Sequence, residues 1–113
     1  MPRSTWPVLA LAATLGVGAC QAATSGEMTS QTYRSLDARG DALTADDVRE
    51  AGGTDDPDLA RTFVREGGSA EPSGASCLYA RTTYRDSYRG VARFCFDGAT
   101  VVSVERNRAD LDR

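Results

Sequence analysis

The chain contains no histidine, so the side chain most often used as a general base near neutral pH is missing throughout. Lysine is absent as well. All 13 basic residues are arginine, which removes any Schiff-base amine and leaves only cations suited to planar oxyanions. Cysteine is scarce, with three in 113 residues, and an odd number in an oxidising compartment leaves one thiol to be explained. Long apolar runs are lacking too. The longest, over residues 6–17, is about a dozen residues, short of the roughly 20 needed to span a bilayer. Acids outnumber bases by 16 to 13, for a net charge of −3. That balance argues against a nucleic-acid partner, which would call for a basic surface.

What is present begins with a leader. Arg3 precedes the apolar run, and Gly18 and Ala19 close it immediately before Cys20. A positive start, a short apolar stretch and small residues at its end are the pattern of an export signal. The tetrad Val17-Gly18-Ala19-Cys20 resembles the bacterial lipobox, in which an aliphatic residue and two small residues precede a cysteine that is acylated after cleavage. The resemblance implies that residues 1–19 are a lipoprotein signal peptide and that Cys20 carries the lipid. Cys77 and Cys95 are then left to pair. The alternative is an ordinary secretory signal cut near Ala22 or Ala23, with Cys20 incidental. Two or three acyl chains, at about 0.8 kcal/mol per buried methylene, anchor stably where one would be marginal.

In lipoproteins of double-membraned bacteria, Asp after the acylated cysteine retains the protein at the inner membrane. Gln21 stands there in this chain, which by that resemblance implies an envelope location at the outer membrane, facing the periplasm. In a bacterium with one membrane, the same leader would display the domain outside the cell. Both compartments permit a disulfide.

Residues 20–42 are rich in Ser, Thr, Gly and Gln with no sustained apolar period, and are expected to form a lipidated flexible tether. Residues 43–106 are expected to form a small α+β domain, followed by a charged tail over 107–113. Thr44 suits a helix N-cap with Asp47 at N3, a short capping box, and Leu43 and Val48 are spaced for a hydrophobic staple. Gly52-Gly53 ends that helix. A second helix opens at Asp56-Pro57, presents Leu59, Phe63 and Val64 as an apolar face, and stops at Gly67-Gly68. Strands follow over 77–84, 88–96 and 99–104, with Asp97-Gly98 supplying a two-residue hairpin turn. If the first hairpin turns through Arg85-Asp86-Ser87, Tyr84 faces Tyr88 and Cys77 faces Cys95.

That register assigns Leu78, Ala80, Tyr84, Tyr88, Ala92, Phe94, Phe96 and Val101 to a face that takes both helices. The other face carries Cys77, Tyr79, Arg81, Arg89, Val91, Arg93, Cys95, Val102 and Val104. The expected fold is therefore α+β: two short N-terminal helices packed on one face of a three-stranded antiparallel sheet, clipped by the Cys77–Cys95 disulfide.

No catalytic group and no metal site stand out. Asp55-Asp56-Pro57-Asp58 lacks the alternating spacing and closing Glu of a calcium loop, and helix capping explains it. Arg81, Arg85, Arg89 and Arg93, spaced four apart, are the candidate binding face, with Tyr79 among them. Such forks suit phosphate or carboxylate, so an anionic phospholipid or an acidic partner is the expected ligand. The plainer reading is a solvated sheet face kept soluble by charge. No cofactor is expected apart from the covalent lipid on Cys20.

The segment Leu43-Thr44-Ala45-Asp46-Asp47-Val48, with Gly52 or Gly53 and Pro57 after it, resembles the SmpA/OmlA family. So does the closing run Phe94-Cys95-Phe96-Asp97-Gly98-Ala99-Thr100-Val101-Val102-Ser103-Val104-Glu105. These are BamE-like lipoproteins of the outer-membrane β-barrel assembly machinery. The resemblance implies a non-catalytic accessory role, with protein partners in the envelope and contact with anionic phospholipid. A competing class is an inhibitor or ligand-binding lipoprotein directed at a cationic enzyme, which an acidic, disulfide-bonded domain would suit.

Overall fold

The computed structural model describes residues 25–107. The leader 1–19, Cys20 and the last residues of the expected tail lie outside the described residues. The fold is α+β, with helices on a four-stranded mixed sheet and a disulfide between Cys77 and Cys95. In chain order the elements are β1 (Glu27–Thr29), α1 (Ser30–Asp37), a 3-10 turn (Gly40–Ala42), α2 (Ala45–Glu50) and α3 (Pro57–Arg65). Then come β2 (Ser76–Tyr84), β3 (Ser87–Asp97) and β4 (Thr100–Arg106). The strands lie in the order β1-β2-β3-β4. β1 runs parallel to β2, and the two following pairs are antiparallel.

The first correction concerns the tether. From Glu27 onward the segment expected to be flexible is a strand and a helix. Met28 and Leu36 are buried, and Thr29 caps α1 by accepting a hydrogen bond from the Thr32 amide at 3.0 Å. The stretch is polar enough to read as linker, because a three-residue strand and an eight-residue helix need very few apolar residues to be held.

The expected helix caps are realised. Thr44 Oγ1 accepts from the Asp47 amide and the Asp47 carboxylate accepts from the Thr44 amide, both at 3.1 Å, and the backbone bond holds that carboxyl below its ordinary pKa. Leu43 and Val48 are both buried in one cluster. Asp56 caps α3 through the Asp58 amide at 2.8 Å, with Pro57 at the helix start.

The second correction concerns layers. The helices do not share a face of the sheet. Tyr33 and Leu36 of α1, Leu43, and Val48 of α2 pack with Met28, Leu78, Ala80, Ala92, Phe94 and Phe96. α3 crosses the opposite face, where Leu59 and Phe63 pack on Tyr79, Val91, Cys77 and Tyr88. Val64, expected to be buried with them, is 50% exposed. Gly68 fits closely at the end of α3, because a β-carbon there would collide with the Phe63 ring.

The third correction is local register. Arg85 and Asp86 both adopt positive φ, 51° and 65°, so the hairpin turns on two residues and Tyr84 faces Ser87. The residue gained at the turn is given back at a bulge, where Thr82 stands across from both Arg89 and Gly90. Gly90 has a φ of 91°, a conformation that glycine adopts at little cost in such bulges. Beyond the bulge the expected pairs hold, Cys77 with Cys95 among them. The bulge turns Tyr88 onto the α3 side, against expectation. A second bulge leaves Val102 unpaired and sets Val104 opposite Phe94, on the α1/α2 side.

Candidate functional site

The four spaced arginines do not form one surface. Arg93, on β3 between Val91 and Cys95, has a fully buried side chain beneath α3. Its guanidinium lies 4.3 Å from the Phe63 ring centroid. Nη1 donates to the Ser69 carbonyl at 2.7 Å, while Nη2 donates to Ser69 Oγ at 2.9 Å and to Glu105 at 2.5 Å. A buried guanidinium needs such partners to offset the loss of water. Arg93 is thus a structural cation that ties the loop after α3 to β4.

Tyr79 is buried as well, and its hydroxyl donates to Glu71 at 2.6 Å. Burial, and then that hydrogen bond, push its pKa up to about 12. Tyr88 reaches Glu66 in the same way at 2.6 Å. Asn107, the first residue of the expected tail, is also buried: its side chain accepts from the Val91 amide and donates to the Phe63 carbonyl. The α3 face is therefore closed by directed polar bonds, and is not available as a solvent-facing binding array.

The other three arginines lie toward the tip of the β2–β3 hairpin. Arg81 is exposed and, by strand alternation, belongs to the α3 side. Arg85 sits in the turn itself, and Arg89 in the bulge. Their guanidinium carbons lie 5.3 Å and 5.5 Å from the centroid of the Tyr84 ring, within the range of cation–π attraction. Tyr84 is 44% exposed, one of the few large apolar side chains left open to solvent among the described residues. The sequence pattern placed Tyr84 in the core because its alternation matches that side. The helices do not reach the tip, so no core covers it there. The signal that could have found it was the spacing Tyr84-Arg85 and Arg89 around a tight turn.

On the α1/α2 side, Arg106 is buried at the rim of the core. It lies over Tyr33 at 5.1 Å and donates to Ser30 Oγ at 2.9 Å. Burial first, with Asp37 adding, raises the Tyr33 pKa to about 12. Near α1 and α2 a groove of about 390 Å³ is lined by Gln31, Ser35, Leu36, Arg39, Asp47 and Glu50, and the Arg39–Asp47 ion pair (3.0 Å) lies on it.

Among the described residues no three His, Cys, Asp or Glu side chains are grouped to hold a metal ion, and no helix is long and apolar enough to cross a membrane. No family model, no curated protein and no solved structure matches this chain.

Proposed function

We propose that this chain is a lipid-anchored envelope protein that acts by binding and not by catalysis. Its contact surface on this reading is the tip of the β2–β3 hairpin. The observation that carries the reading is the exposed Tyr84 ring with the Arg85 and Arg89 guanidinia over it. An aromatic body flanked by forked cations suits a surface bearing carboxylate or phosphate groups. The expected partner is an acidic patch on an envelope protein, with anionic phospholipid headgroups as an adjoining contact. The process suggested by the resemblance of the capped α2 and the closing β3–β4 hairpin is outer-membrane β-barrel assembly.

Two further points support the reading. The Cys77–Cys95 disulfide suits a protein exported to an oxidising compartment, as the leader ending at Cys20 implies. A chain without histidine or lysine also lacks the commonest general base and the amine used for Schiff-base chemistry. The fold begins close to the lipid site: the five links from Cys20 to Ser25 span at most about 18 Å. On this reading the domain works near the bilayer surface, where a 20-residue tether would have let it roam.

The test is affinity capture of the lipidated protein from gently solubilised membranes, with mass spectrometry of what is bound. The reading expects an envelope protein, the barrel-assembly core above all, lost on Tyr84→Ala with Arg85→Ala. Capture of a basic soluble enzyme, insensitive to those changes, would move the protein to the inhibitor class.

A further inference from the structure

The sheet has two edges, and they are treated differently. β1 is three residues long and passes directly into α1, so little of its outer edge is open. β4 is seven residues long and is last in the strand order. From Gly98 to Val104 the chain has no charge and no proline, and Val101, Val102 and Val104 stand among small residues. Val102, at the bulge, is 49% exposed. Edges of this kind are usually blunted by charged side chains, proline or a covering element, because their unpaired N–H and C=O groups invite another strand. The charges β4 does have are at its end and are drawn inward. Glu105 accepts from Arg93 on one face and Arg106 donates to Ser30 on the other, so neither guards the edge. Among the described residues the edge is interrupted at the bulge, and the 3-10 turn lies beside the strand.

We propose that β4 pairs with β4 of a second copy of this chain, antiparallel about a two-fold axis normal to the sheet, joining two sheets of four strands into one of eight. Charge favours a second copy at this strip. A chain of net charge −3 repels itself over most of its surface, whereas the run from Gly98 to Val104 is neutral. Symmetry favours it as well, since identical antiparallel edges form a closed contact that satisfies both and ends the assembly there. The same axis sets the two β1 strands at the outer margins and at equal height. That last point rests on the lipid-anchor reading: both lipids can then enter one bilayer. An extended strand from another protein would satisfy the edge bonds but gains nothing from the neutral strip or the shared height.

The experiment uses the full chain in membranes, carrying Val102→Cys or Ser103→Cys, with mild oxidation and a non-reducing gel. A disulfide-linked dimer is expected from at least one of these, and none from Arg61→Cys on the exposed side of α3. Sedimentation of the detergent-solubilised wild type should give a dimer, and Val102→Lys should give a folded monomer whose thermal midpoint falls only by the stabilisation that the partner supplied. Absence of cross-linking at both positions together with a monomeric wild type would overturn the proposal. Cross-linking of either cysteine to a different protein would overturn it in favour of a foreign strand. Membrane and soluble fractions are assayed in parallel. A dimer found in the soluble fraction would sink the lipid anchor and leave the pairing intact.

Discussion

The two faces of the sheet are closed by different physics. The α1/α2 face is held by Leu36, Leu43, Val48, Leu78, Phe94 and Phe96, apolar groups whose burial is non-directional and scales with area. The α3 face has only Leu59, Phe63, Tyr79 and Val91 as its buried apolar cluster. It adds Arg93, the tyrosine–carboxylate pairs, the Asn107 bonds and the disulfide. A nine-residue helix that buries only two side chains cannot be fixed by area alone, so directed bonds and a covalent link complete the closure. The lesson is that a charged residue on the poorer face serves structure, and that the binding surface proposed above is the hairpin tip, which neither face covers.

The largest losses are expected in the cores. Phe94→Ala should cost about 4 kcal/mol, as large aromatic deletions do, whereas Arg93→Ala should cost about 3 kcal/mol by leaving Glu105 and the Ser69 carbonyl without their partner. Chemical denaturation measures both. The distinguishing result is repair: Glu105→Gln added to Arg93→Met should recover part of the second loss, because both charges are then removed together. No such repair is open to Phe94→Ala.

Reduction, or the double change Cys77→Ser with Cys95→Ser, should cost about 3 kcal/mol in the chain-entropy model for a sequence separation of 18 residues. In a domain of this size each kcal/mol moves the thermal midpoint by roughly 4–8 °C, so calorimetry should read a large shift. An unchanged midpoint would mean that the α3 face closes without the link.

These effects also show what was legible beforehand. The capping box at Thr44 and Asp47, the Asp56-Pro57 start and the Asp97-Gly98 turn are local devices, and residue type alone reveals them. The Cys77–Cys95 pairing was legible because two small errors cancelled: a turn one residue shorter and a bulge at Arg89-Gly90. The side of the sheet taken by α3 was not legible, since periodicity tells which face of a helix is apolar but not which face of a sheet it covers. One clue was available in Tyr79 and Val91, apolar residues on the face expected to be solvated. β1 and α1 escaped notice because Met28 and Leu36 are too few to make a period. Spacing treats Arg93 like the other arginines, and only its position between Val91 and Cys95 marks it as different.

Smaller effects sharpen the contrast. Tyr79 holds its proton more tightly in the folded chain, to about pH 12, than an unfolded tyrosine does at about 10. Its contribution is therefore complete below pH 10 and is lost as pH rises from about 10 to 12. Spectrophotometric titration should show a late-ionising class of tyrosine, reduced in Tyr79→Phe, which should itself cost about 1 kcal/mol through the lost bond to Glu71. Thr44→Ala should cost about 1 kcal/mol by removing the α2 cap. That loss falls on the α1/α2 face and should leave both late-ionising tyrosines, Tyr33 and Tyr79, in place in the folded chain.

The most direct test of the division between structural and binding arginines is one capture experiment run on two variants. Arg85→Ala with Arg89→Ala should lose the envelope partner while keeping the thermal midpoint within a few degrees of wild type. Arg93→Gln should lower the midpoint and, below it, still capture the partner. Undiminished capture by the first variant, or loss of capture by a folded Arg93→Gln, would contradict the account.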